Sequence, residues 1–219
     1  MSELVTRLGP KTCRFDVGTG GTKEMTDQDI AAALGMVSNK LGADVMCYLH
    51  WPDGIDRAAF EVGLLQKVRL ECHKRAEEVV NAELRYMMHQ GRNGTLRNLQ
   101  QVTAGRSAMW PMFDAENLPR YVRLVIGVLD EVASGPVCKH CNGRAKLATP
   151  EGVVECPHCA GSGRADESQR GRAARMGIAQ PSFRERWDEP YRWLLSEVMG
   201  AWLEGSDQFR RALGRRNAA

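Results

Sequence analysis

The chain has 219 residues, 43% of them hydrophobic and 26% charged, with a formal net charge of +3 at pH 7. That suffices for one sizeable domain or two small ones. No run approaches the about eighteen consecutive apolar residues of a membrane helix, and MSELVTRLGPKTC lacks the basic and apolar regions of a secretory signal, so a cytoplasmic protein with no membrane partner is expected.

Charge is unevenly spread. Residues 1–137 carry 16 Lys/Arg against 17 Asp/Glu, whereas residues 138–219 carry 14 against 10. A basic C-terminal part suits a polyanionic partner. Seven cysteines without a secretion signal argue against a disulfide framework, and four of them clustered point to metal. Cys13, Cys47 and Cys72 stand apart, the last two in apolar helix-like stretches that predict small buried thiols.

In chain order, residues 1–25 read as a flexible leader. DVGTGGTK within it is superficially like a phosphate loop, but the pattern G-x-x-x-x-G-K-[ST] is absent. Helix is predicted from Thr26, as N-cap, through DQDIAAALGMVSNKL. Between Asp56 and Gln90, Phe60, Leu64, Val68 and Cys72 recur every four residues, and Val79, Val80, Leu84, Met87 and Met88 extend the pattern as expected core. QGRNGT breaks it. A further helix over 118–133 carries Tyr121, Leu124, Val125, Val128, Leu129 and Val132 on one stripe. His50, His73 and His89 have no second ligand at helical metal spacing. The body, 26–135, is thus mainly α, and SGP at 134–136 marks its end.

Residues 136–165 form the next module, CKHCNGRAKLATPEGVVECPHCAGSGR at 138–164. Zinc takes four tetrahedral N or S ligands, and thiolates at i and i+3 fit a turn that aims both sulfurs inward. Cys138, Cys141, Cys156 and Cys159 supply two such turns for one structural Zn2+ per chain, a small knuckle or ribbon. Gly143, Gly161 and Gly163 permit the backbone geometry after each turn. His140 and His158 sit inside the pairs and are not expected to replace a cysteine. Four thiolates close the metal shell, and the deaminase pattern H-x-E with P-C-x-x-C is missing, so neither catalysis nor a small-molecule substrate is expected.

Residues 166–204 predict a C-terminal helix-turn-helix. The first helix covers about 167–176 and ends at Gly177. The second opens on Ser182 in a capping box with Glu185, and Phe183, Trp187, Tyr191, Leu194, Leu195, Val198 and Trp202 form its apolar face. Pro190 predicts a kink, or a break with Asp188 as a new cap. Arginines grip phosphates while the start of a second helix reads base edges. The candidate DNA contacts are therefore Arg164, Arg170, Arg172 and Arg175, then Gln180, Ser182, Arg184 and Arg186, with Lys146 between the knuckles. Residues 205–219 are expected as a basic tail.

The helical body, the two knuckles with their glycines, and QPSFRERWDEPYRWLL give a chain that resembles the phage lambda Q family of transcription antitermination proteins, most specifically over 138–204, with a weaker echo in TDQDIAAALGM. The resemblance implies a phage late-gene regulator, or a prophage-derived relative, acting in a bacterial host cell. Such proteins bind double-stranded DNA at a late promoter element. They engage bacterial RNA polymerase that is paused downstream with its σ factor, and carry it past terminators. Carried over, Cys138, Cys141, Cys156 and Cys159 would hold zinc, Arg170, Arg172, Arg175, Ser182, Arg184 and Arg186 would lie on the DNA-facing helices, and the body would meet polymerase and σ. The alternatives are an activator or repressor with the same DNA-binding half, and an interaction module, since CPHCAGSG is similar to the cysteine-rich repeats of J-type co-chaperones. A thiol oxidoreductase using Cys-x-x-Cys would need reactive thiols in place of a tightly bound metal.

Overall fold

In the computed structural model, the described residues are 27–88, 95–105, 110–135, 137–149, 152–159, 161 and 163–217. The expected leader, the Thr26 cap, Cys13, His89, Pro136 and most of the QGRNGT break lie outside them. The elements are α1 (Asp27–Gly35), α2 (Lys40–His50), a 3-10 turn (Pro52–Gly54), α3 (Arg57–Met88), α4 (Thr95–Gly105), α5 (Leu118–Ser134), β1 (Lys146–Thr149), β2 (Gly152–Glu155), α6 (Gln169–Met176), α7 (Gln180–Ser182), a π-helical turn (Phe183–Trp187) and α8 (Asp188–Asn217). The architecture is mainly helical. Two compact units are formed, one within Met1–Phe60 and Ser196–Ala219, the other within Glu61–Leu195.

In the first unit, the single helix expected from the Thr26 cap through residue 41 is two. Asn39 adopts an extended backbone and its side chain accepts from the Gly42 amide at 2.9 Å, which caps and restarts the chain as α2. Ile30, Ala33, Val37, Met46, Phe209, Ala212 and Leu213 form the core. Residues 205–217, expected as a tail, therefore continue α8 and bury Phe209 completely. Gly42 faces Ala201 and Gly205 so closely that an added methyl would strike the Ala201 carbonyl and lie 3.0 Å from the Gly205 Cα.

In the second unit, the four-residue pattern on α3 holds at Leu64, Val68 and Cys72, all buried, and the whole α5 stripe from Tyr121 to Val132 is buried. Against these pack Phe183, Trp187, Tyr191 and Leu194, each at most 1% exposed. Tyr121 meets Trp187 edge-on at 4.9 Å and Phe183 meets Tyr191 at 5.6 Å. The Tyr191 hydroxyl donates to the Gly127 carbonyl at 2.8 Å, so its polar tip is satisfied inside the core. Each such ring contributes roughly 1.5–3 kcal/mol by leaving water. The distal part of α3 departs from expectation: Val80, Leu84, Met87 and Met88 are exposed, because no described element covers that side of the helix.

Two further expectations change near the C-terminus. Ser182 is not a cap: its backbone is helical and its side chain makes no capping bond. The helix starts earlier, at Gln180 after an extended Ala179, because the fixed φ of Pro181 suits a first turn. Pro190 neither breaks the helix nor creates a cap at Asp188, whose φ and ψ of −62° and −43° are helical. The chain absorbs the proline with the π-helical turn just before it, where the Asp188 amide reaches back five residues to the Phe183 carbonyl. The Asp188 carboxylate is held by Gln169 Nε2 at 3.2 Å and by Arg192 Nε.

Candidate metal centre

The four sulfurs of Cys138, Cys141, Cys156 and Cys159 lie within 4.8 Å of one another. Cys138 and Cys156 are 4.0 Å apart, and Cys141 and Cys159 are 3.7 Å apart. Sulfurs bound tetrahedrally at about 2.3 Å from zinc stand about 3.8 Å from each other, whereas a disulfide needs about 2.05 Å. The geometry and the donor chemistry thus fit a thiophilic ion of zinc type.

The backbone explains how the centre is built. β1 and β2 pair antiparallel, Lys146 opposite Glu155 and Thr149 opposite Gly152, and bring the second turn back beside the first. The Cys138 amide donates to the Gly163 carbonyl and the Cys156 amide to the Ala145 carbonyl, both at 2.9 Å. Each turn is therefore tied to the residue four positions beyond the second cysteine of the other. Gly163 (φ 72°) and Ala145 (φ 63°) occupy equivalent left-handed positions. Glycine serves one of them, and alanine fills the other against its intrinsic preference. The Gly163 amide also donates to the Cys159 sulfur at 3.3 Å, a contact that supports a ligating thiolate.

Before an ion binds, the thiols differ. Backbone amides directed at its sulfur, that of Cys141 foremost, bring Cys138 down to about 7, whereas burial pushes Cys156 up to about 11. Four adjacent thiolates repel one another, and a divalent cation removes that obstacle and releases the remaining protons.

The basic candidates separate into two groups. Arg172 is turned inward, 4% exposed, with Nη2 on Glu131 Oε1 at 2.8 Å and Nε on Oε2 at 3.1 Å. It packs over the Tyr191 ring, so it holds α5, α6 and α8 together and presents no guanidinium to a phosphate. Arg164 donates to the Gly135 and Ala133 carbonyls at 2.9 and 3.2 Å and fastens the metal module to the C-terminal end of α5. Arg175 pairs with Glu167 at 3.3 Å. Arg170, Gln180, Ser182, Arg184 and Arg186 are exposed, as is Lys146 on β1. The inward role of Arg172 is not legible in the sequence, because its partner Glu131 is 41 positions away. The approach of His140 to His158 has one signal in the sequence, the same residue at the same place in each Cys-x-His-Cys.

The fold and site define a mainly helical protein with a four-cysteine centre that could hold a metal ion. No family model matches the chain, and neither curated proteins nor solved structures give a match. Among the described residues, no helix is long and apolar enough to cross a membrane.

Proposed function

We propose that this chain is a sequence-specific DNA-binding antiterminator, with α6 and the α7–α8 segment as its helix-turn-helix and a structural zinc ion in the cysteine centre. The observation that carries the reading is the two-sided second helix. Phe183, Trp187 and Tyr191 lock one face into the core, while Gln180, Ser182, Arg184 and Arg186 stand exposed at its start. Side chains in that place suit base edges and phosphates. α6 precedes it, closed by a Gly177 turn whose amide bonds to Ala174 while that of Ile178 bonds to Ala173. The basic candidates for duplex contact reduce to Arg170, Arg184 and Arg186, with Lys146 on the metal module. RNA polymerase and σ as partners, and terminator read-through in a bacterial cell, rest on the resemblance to the lambda Q family.

Purified transcription from a late-promoter template with a downstream terminator tests the reading. Read-through should rise when the protein is added. Arg186→Ala should weaken the promoter footprint and lower the salt slope of binding by about one. Promoter binding without read-through would leave an activator or repressor, and no DNA binding would leave an interaction module.

A further inference from the structure

We infer that His140 and His158 form a second, weaker metal site, for a divalent transition cation of borderline softness, on the outside of the cysteine module. The two imidazoles are exposed and their ring centroids lie 4.1 Å apart at an interplanar angle of 44°. Each occupies the third position of its own Cys-x-His-Cys turn, and each backbone amide is directed at the first cysteine sulfur of that turn, Cys138 or Cys156. The main chain under both histidines is thereby fixed by the primary centre. Their side chains project from that platform as a pair, although 18 residues separate them.

The chemistry follows from the donors. Neutral imidazole offers one ring nitrogen lone pair and suits zinc, copper, nickel and cobalt, in contrast to the hard oxygen ligands of magnesium or calcium. Two nitrogens bound to one ion at about 2.1 Å lie about 3 to 3.4 Å apart, a spacing that rings 4.1 Å apart reach by rotation of the side chains. Water completes the shell, because the four cysteines are the one group of three or more metal-ligating side chains among the described residues. The site is therefore weaker than the thiolate centre. Its place beside that centre makes it a loading station, where an ion is held before it sheds its water and passes to the thiols. On transfer the imidazole–metal and water–metal bonds give way to thiolate–metal bonds, thiols still protonated release their protons to water, and no oxidation state changes.

Titration of the full chain with Co2+ separates the two sites, since thiolate ligation gives intense near-ultraviolet charge-transfer bands and imidazole ligation does not. The wild-type chain should take one tight equivalent with thiolate bands and then a second without them, the second shifting the ring resonances of His140 and His158. The double variant His140→Phe/His158→Phe keeps stacked rings but no ligands. It should retain the first equivalent, lose the second, and load its thiolate centre several-fold more slowly. A wild-type chain that binds one equivalent, or a variant that keeps the second, would overturn the site. A variant that loses the second equivalent yet loads at the wild-type rate would overturn the loading role. The readout is metal binding by the free chain, so it is independent of the DNA-binding proposal.

Discussion

The cysteine module and the aromatic helical core beside it are held by different physics. Around the metal centre every residue of β2 is exposed, and the cysteines are packed by little more than Leu147. In the core, by contrast, Tyr121, Trp187 and Tyr191 are at most 1% exposed, and the charged pair of Arg172 with Glu131 is itself nearly fully buried. A segment with so little apolar area cannot offset the entropy of its own ordering, so an ion held by its four thiols would supply what the helices gain from area removed from water. Arg164 joins the two.

Five experiments break or sharpen that contrast. The largest effect is expected from stripping the metal, or from Cys156→Ser. Structural zinc contributes about 10–16 kcal/mol in small zinc peptides, so residues 137–164 should lose amide protection in hydrogen exchange while α5 and the start of α8 keep theirs. Collapse of both together would erase the contrast. Trp187→Ala attacks the other side. Removing a ring from this core should cost about 3–5 kcal/mol in denaturant midpoint, with the cobalt thiolate spectrum intact in the folded fraction. Arg164→Ala removes the cation at the end of α5 and should cost about 1 kcal/mol; its signature is faster exchange at 133–138 with unchanged metal stoichiometry. The smallest effect has the opposite sign. Ala145→Gly relieves a left-handed alanine and should stabilise the metal-loaded module by roughly 1 kcal/mol, seen as slower metal loss to a chelator. Gly163→Ala, at the equivalent place, should speed that loss, because its methyl would sit 2.6 Å from the Gly143 carbonyl oxygen.

Periodicity named the buried stripe of α5 residue by residue and most of the aromatic face of the π-helical turn and α8, where Leu195 and Trp202 are only half-buried, and Cys-x-x-Cys spacing named the cysteine cluster. These are local signals: which residues share a helix face, or a turn, depends on positions three or four apart. Arg172 shows where they stop. Its neighbours Arg170 and Arg175 look the same in sequence, yet the side chain that meets Glu131 and Tyr191 is drawn inward. That choice is made by elements far away in the chain. Val80, Leu84, Met87 and Met88 carry an apolar pattern like that of Leu64 and Val68, and differ only in having no described element over them.

The amino-acid sequence by itself determined where α3, α5 and α6 run, which four thiols meet, and where a proline would disturb a helix, because backbone geometry and ligand spacing act over a few residues. Only the tertiary structure decided that the proline is absorbed by a π-helical turn, that residues 205–217 extend a helix into a core, that one arginine in the basic run is a buried strut, and that two histidines 18 positions apart stand side by side. Those outcomes depend on which surfaces are brought together in space, and burial, unlike periodicity, belongs to the assembled fold.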